Sequence, residues 1–346
     1  MGADATGWLE DVRRVVREAL GCEPEAVEPL AGALGLRRFA RVTLPVPPGR
    51  LVARVDAPED PAGRPPGIPP EPALEPVRAL FERGGLPVAR RLGGDAASGI
   101  ELLEDLGETS LARLAPTLRD AERRALYTDV CGLIPRIQAL PDPGDVPAFQ
   151  RHMTDAYFAY KADLFCRHSL SGAGDAARRC VRDAFAAIGR EIAAAPQRLA
   201  HRDLQSENVL VRDVRGERRL GLIDLQGALC TAPEYDLVCL LRDSYVELPP
   251  DEIAAHFETT RDALPDVPDP ETSAQRFDLL TLTRKGKDHA RFLYAAETRG
   301  DRRYLPHLPA TVRHLKRAAR DAARRDPGLA DLRDVVEGLS EDACGR

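Results

Sequence analysis

The sequence predicts an α+β chain in which a small antiparallel-sheet lobe precedes a larger, mainly helical lobe. Three observations predict this. Strand-like runs cluster before residue 107, two of them joined by the Pro- and Gly-rich turn PVPPGR. Helical periodicity dominates afterwards, over 119–139, 147–170 and 174–194. The 346 residues are enough for two packed domains, set here at 1–107 and 108–346.

In order, Trp8–Leu20 reads as an amphipathic helix, with Leu9, Val12, Val15, Val16 and Leu20 at helical spacing. Phe39–Val46 and Arg50–Val55 read as the two strands of a hairpin. The stretch 57–72, APEDPAGRPPGIPPEP, holds too much proline for helix or strand and reads as a surface loop. Ala73–Arg83 is a helix stopped by Gly84 and Gly85, and LPVARRL and GIELLEDL are two further strands. Within the helical half lies one compact segment, RLAHRDLQSENVLVRDVRGERRLGLIDLQ. Strand-like runs at Asn208–Val211 and Arg219–Ile223 flank its DVRGE turn.

Composition narrows the function. Hydrophobic residues at 43% and charged residues at 30% fit a soluble globular chain, and a net charge of -6 argues against a broad nucleic-acid surface. No run approaches the roughly 20 apolar residues that span a bilayer. The seven cysteines form no CxxC pair, which argues against a disulfide framework or a zinc site. A cytoplasmic monomer acting on a small molecule is expected, with neither nucleic acid nor membrane as partner.

The chemistry rests on His201-Arg202-Asp203-Leu204-Gln205-Ser206-Glu207-Asn208, an H-R-D-x-x-x-x-N pattern, followed 21 residues after Asp203 by Asp224 at the end of the apolar run LGLI. Phosphoryl transfer from ATP needs a carboxylate beside the attacking hydroxyl and oxygen ligands for Mg²⁺. Asp203 supplies the carboxylate, and Asn208 and Asp224 supply oxygens of the kind Mg²⁺ prefers. His201 and Arg202 are expected to brace the loop rather than react. There is no GxxxxGK[ST], HExxH or GxSxG, so P-loop, zinc-peptidase and serine-hydrolase chemistry have no foothold.

These residues resemble the aminoglycoside phosphotransferase-like kinases. The likeness is strongest to the anomeric sugar kinases of cell-wall recycling, which phosphorylate N-acetylmuramate and N-acetylglucosamine at C1. LAGALGLRRFARV, LVARVDAPED, ELLEDLGETSL, HRDLQSENVLV, GLIDLQGALCTAPEYDLVCLLRDSYVELP and RRYLPHLPATVRHL look alike in order, from about residue 27 to 316, with 201–249 the most specific stretch. The resemblance implies a bilobal protein-kinase-like fold. It implies Asp203 as catalytic base, Asn208 and Asp224 as metal ligands, and Asp236 as a buttress of the catalytic loop. It also implies a hinge at Glu104–Leu106, whose backbone meets adenine.

Two departures stand out. The catalytic loop reads L-Q-S-E where those sugar kinases more often carry an aromatic residue and His, then Ser-Arg. The helix TRKGKDHARFLYAAETRGD matches their pattern only at scattered positions. The first 160 residues also contain no lysine, whereas kinases of this fold usually place one on the third strand to hold phosphate. Arg37, Arg38, Arg41 and Arg54 are the candidates to replace it, with Gly32 and Gly35 letting backbone amides approach. The basic cluster Arg284, Lys285 and Lys287 is either a solvated helix face or a contact for an acidic acceptor. The expectation is a kinase for a sugar hydroxyl. The alternatives are an aminoglycoside, choline-like or other amino-alcohol kinase, and a nucleotide-binding pseudokinase.

Overall fold

The computed structural model describes residues 7–30, 37–57, 64–266 and 269–341. The N-terminal elements are α1 (Gly7–Leu20), β1 (Ala26–Pro29), β2 (Arg38–Thr43), β3 (Arg50–Val55), α2 (Leu74–Arg83), β4 (Arg91–Asp95) and β5 (Ile100–Glu104). Helices follow as α3 (Leu111–Leu114), α4 (Asp120–Cys131), α5 (Leu133–Gln138), α6 (Pro147–Gln150), α7 (Asp155–Leu164) and α8 (Asp175–Ala194). Then come β6 (Arg198–Ala200), β7 (Val209–Val214), β8 (Glu217–Leu222), β9 (Leu229–Thr231), α9 (Tyr235–Leu241), α10 (Pro250–Arg261), α11 (Pro270–Arg299), α12 (Leu308–Arg325) and α13 (Ala330–Glu337). The predicted architecture, a small antiparallel sheet and a helix-rich remainder, is the one observed. Among the described residues no helix is long and apolar enough to cross a membrane.

The compact units do not follow the single boundary expected at 107. One comprises Met1–Arg64, Pro87–Glu108 and Val211–Ile223; the other comprises Pro65–Leu86, Thr109–Leu210 and Asp224–Arg346. The reason is packing. Helix α2 lies against α6 and the Leu225–Gly227 turn, whereas the β7–β8 hairpin bonds through the Leu222 N–H to the Pro87 carbonyl at 2.6 Å.

In the first unit five strands run β1-β2-β3-β5-β4, and the β1–β2, β2–β3, β3–β5 and β4–β5 pairs are all antiparallel. One face buries Ala40, Val42, Leu51, Ala53, Ile100 and Leu102 against Val12, Val15 and Val16 of α1, with Trp8 packed at the edge. Side chains alternate across a strand, so Phe39, Arg41, Arg54 and Glu101 occupy the opposite face. Strand β1 escaped the sequence reading because four residues carry almost no periodicity; its pairing with β2, Ala26 opposite Thr43, makes it a strand.

The second unit is built around α11, 30 residues long. The Asp269 carboxylate caps its first turn by accepting from the Glu271 and Thr272 N–H groups, and Gly300, at φ 66°, ends it in the left-handed conformation. Gly286 permits close packing, since a Cβ there would lie 3.2 Å from Phe185 and 3.4 Å from Phe165.

Two helices expected to be continuous are broken. The 119–139 helix divides at Gly132, just ahead of Pro135, which cannot donate a helical N–H. The 147–170 helix opens at Arg151–Met153, whose backbone pairs instead with Cys230 of β9, at 2.7 Å and 3.1 Å.

Leu102→Ala removes a fully buried side chain from the first unit. It is expected to cost that unit about 2–5 kcal/mol. Denaturation followed by the fluorescence of Trp8, the single tryptophan, reads this loss.

Candidate active site

Strand β6 delivers the chain to His201, and from there to Asn208 the backbone is held by buried acids of the same unit. Asp236, 1% exposed at the start of α9, accepts the His201 N–H at 2.7 Å and the Arg202 N–H at 3.0 Å, one on each carboxylate oxygen. Arg202, the second of these donors, lies at φ 74°, a region unfavourable to a residue with a Cβ. The paired bonds hold that turn. Burial pushes the Asp236 carboxyl up, opposed by His201 and by the two N–H bonds. His201 is fully buried, and its Nδ1 accepts the Asp203 N–H at 3.3 Å, so the ring acts through hydrogen bonding. Farther along, Asp243 accepts the Ser206 N–H at 2.8 Å and also the Ser206 hydroxyl.

Asp203 thus projects from a fixed turn. Its Oδ1 accepts from Arg284 Nη2 of α11 at 2.5 Å. Arg284 also donates to the Arg202 carbonyl at 3.1 Å, to Gln205 Oε1 at 3.2 Å and to Asp288 Oδ2 at 3.2 Å. Burial opposes ionisation of Asp203, but Arg284, then Lys287, then Arg202 outweigh it and hold the carboxyl well below the usual range. Asp203 is therefore an acceptor at neutral pH. Its Oδ2 takes no hydrogen bond from the described residues, so it is the oxygen able to receive a hydroxyl proton.

The Asn208 side-chain amide donates to the Asp203 carbonyl at 2.8 Å. That bond engages the amide nitrogen and leaves Oδ1 without a hydrogen bond to the described residues. Asp224 lies in the left-handed region at φ 65° and accepts from Gln226 Nε2 at 2.5 Å. One amide oxygen and one carboxylate form a donor set that fits Mg²⁺, which takes oxygen ligands and retains several waters. Asp203, Asn208, Asp224, His201, Arg202 and Asp236 all fall in the second unit.

The remaining candidates lie in the first unit. Arg54, 4% exposed, bonds Asp56 at 2.6 Å and lies 3.6 Å from Glu101; Arg37 meets the same Asp56 at 3.4 Å. Arg38 lies over the Trp8 ring, 5.8 Å from its centre. Arg41 is committed to Asp105 at 2.8 Å and to Glu108. Of the four arginines, Arg37 and Arg54 are brought together, and the other two are not. The Glu104 N–H goes to the Arg90 carbonyl at 2.8 Å, and Leu106 packs over Gly221. Gly32 and Gly35 lie outside the described residues. Asp243 and Asp288 were missed. Asp243 stands in LLRDSY, within the stretch matched by resemblance, and the Ser206 that it holds is 37 residues earlier in the chain. Separations of that size leave no local signal.

Residues 27–272 match the model of the phosphotransferase enzyme family. The chain belongs to that family. It is thus a kinase-type phosphotransferase acting on an alcohol-type acceptor. It is 27% identical over 277 residues to the N-acetylmuramate/N-acetylglucosamine kinase of Pseudomonas aeruginosa, covering 77% of this chain and 78% of that one. To the enzyme of the same name from Neisseria meningitidis it is 26% identical over 307 residues, 87% of each chain. Among solved structures it resembles choline kinase LicA from Streptococcus pneumoniae, with TM-score 0.60, 16% identity and coverage of 91% and 98%. It also resembles an aminoglycoside phosphotransferase in ternary complex with ADP and hygromycin B, with TM-score 0.55, 14% identity and coverage of 97% and 99%. These likenesses establish the protein-kinase-like fold.

Arg284→Met removes the nearest charge holding Asp203 ionised, while burial stays. The Asp203 titration should move upward, and the acid limb of the kcat–pH profile with it. An unmoved acid limb would show that Arg284 does not set the ionisation of Asp203.

Proposed function

We propose that this phosphotransferase uses ATP and Mg²⁺ to phosphorylate a sugar hydroxyl, the anomeric hydroxyl of N-acetylmuramate or N-acetylglucosamine. The observation that carries the reading is the Asp203 carboxylate, paired with Arg284 in a turn that also holds the Asn208 amide and lies in the same unit as Asp224. The acceptor follows from the two named relatives, each matched over most of its length.

Asp203 Oδ2 accepts a hydrogen bond from the acceptor hydroxyl and aligns its oxygen for in-line attack on the γ-phosphorus. The new O–P bond forms as the bond to the β-phosphate bridging oxygen breaks. The hydroxyl proton passes to Asp203, and ADP carries away the bond's electron pair. Asn208 Oδ1 and Asp224 would hold Mg²⁺, which when bound offsets charge on the phosphates. Arg37 and Arg54 stand in for the absent lysine. Choline-like and aminoglycoside acceptors are cations. They fit poorly beside Arg284, Lys285 and Lys287, which outnumber their carboxylate partners Asp203 and Asp288.

The test is ATP consumption with N-acetylmuramate, N-acetylglucosamine, plain hexoses, aminoglycosides and choline, with phosphorus NMR of the product. An anomeric sugar phosphate is expected. Turnover confined to choline or an aminoglycoside would overturn the acceptor, and no turnover with any of them would overturn the reading. Asp203→Asn is expected to lower kcat about 10²–10⁴-fold while ATP affinity stays within about twofold. Turnover undiminished by Asp203→Asn would remove that residue from the mechanism.

A further inference from the structure

The basic cluster on α11 divides by role. Arg284, 2% exposed, is consumed by Asp203, the Arg202 carbonyl and Asp288. Lys285, 1% exposed, is consumed by Ser244 at 3.2 Å and Asp288 at 2.9 Å. Lys287 is different. Among the described residues its Nζ meets only Asp288, at 3.2 Å, and that carboxylate already serves Arg284 and Lys285. Three cations therefore share Asp288, and even after Asp203 is paired with Arg284 one positive charge is left over.

One turn farther along α11 is Arg291, half-buried and with no hydrogen bond or ion pair to any described residue. Positions 284, 287, 288 and 291 recur at helical spacing, so Lys287 and Arg291 share the helix face that Arg284 turns toward Asp203. The electrostatics agree with that placement. Lys287 feels Arg284, Asp288, Asp203 and Arg291, and Tyr304 feels both Arg291 and Glu207 of the catalytic loop. Tyr304 itself stacks on Phe292, with ring centres 5.5 Å apart and planes 9° from parallel. Burial brings the Lys287 ammonium down to about 8, and Arg284 adds to that effect. An anion beside Lys287 would relieve both.

We infer that Lys287 and Arg291 form an anion subsite for the acceptor, holding a carboxylate on the sugar while its hydroxyl lies at Asp203. The inference rests on the sugar-kinase reading and adds a specificity determinant to it. Two cations one helical turn apart suit a group with two charged oxygens, and a charge-assisted contact of this kind rejects an acceptor that lacks the group. The site therefore discriminates between two acceptors that share a ring and a reacting hydroxyl and differ in one carboxylate.

The test compares N-acetylmuramate, which carries a carboxylate, with neutral N-acetylglucosamine, using the full chain with ATP and Mg²⁺. Lys287→Gln and Arg291→Gln should each raise the KM for the carboxylate acceptor about 10-fold or more. The KM for the neutral sugar and the KM for ATP should stay within about twofold, and Lys287→Arg should restore most of the loss. Equal losses on both acceptors, or a rise confined to the ATP KM, would overturn the subsite in favour of a structural or phosphate-binding role. If the wild-type chain turns over neither sugar, the sugar-kinase reading fails by itself. The subsite is then judged by calorimetry with N-acetylmuramate and glucuronate against N-acetylglucosamine and glucose. Carboxylate-selective binding lost in both variants supports it, and binding without that selectivity, or none, overturns it.

Discussion

Everything at the site hangs on one buried carboxylate. Asp236 takes the two successive N–H groups of His201 and Arg202, and directly after them the chain turns through the left-handed Arg202. Such a turn at a residue with a side chain costs on the order of 1–3 kcal/mol and persists only where its surroundings over-determine it. Here the surroundings are Asp236, the His201 ring under the Asp203 N–H, and Arg284 on the Arg202 carbonyl. That turn leads into Asp203, and the bond from the Asn208 amide to the Asp203 carbonyl ties the far end of the loop to it.

The second constraint is charge. Arg284 stabilises the ionised form of Asp203 and so lowers its strength as a base. The trade is consistent with phosphoryl transfer, in which little proton transfer is needed early and positioning does most of the work. The same arginine ties the loop to α11. The helix therefore fixes the turn that carries Asp203, and its buried charges Asp278, Arg284, Lys285 and Asp288 each have an ion-pair partner.

Much of this was legible in the sequence. The H-R-D-x-x-x-x-N spacing and the apolar run ending in Asp224 mark a loop and a strand end by local pattern alone, and Val12, Val15 and Val16 mark the face of α1 that meets the sheet. What was not legible depends on distance along the chain. Arg284 reaches Asp203 across 81 positions and Asp243 reaches Ser206 across 37. Arg151–Met153 abandon a helical pattern because Cys230 offers backbone partners. Among the four candidate arginines composition has no preference. Strand alternation puts Arg54 and Arg41 on one face, but only the contacts separate Arg54, which joins Arg37 at Asp56, from Arg41, held by Asp105 and Glu108.

Asp236 anchors the turn that carries Asp203, and amide hydrogen exchange at His201 and Arg202, measured alongside turnover in the wild type and in Asp236→Ala, reads that role. Strong protection of both amides in the wild type is predicted, with faster exchange and a collapse of kcat appearing together in the variant while ATP affinity is retained. Rapid exchange of those amides in the wild type, or a variant that keeps its turnover, would contradict it.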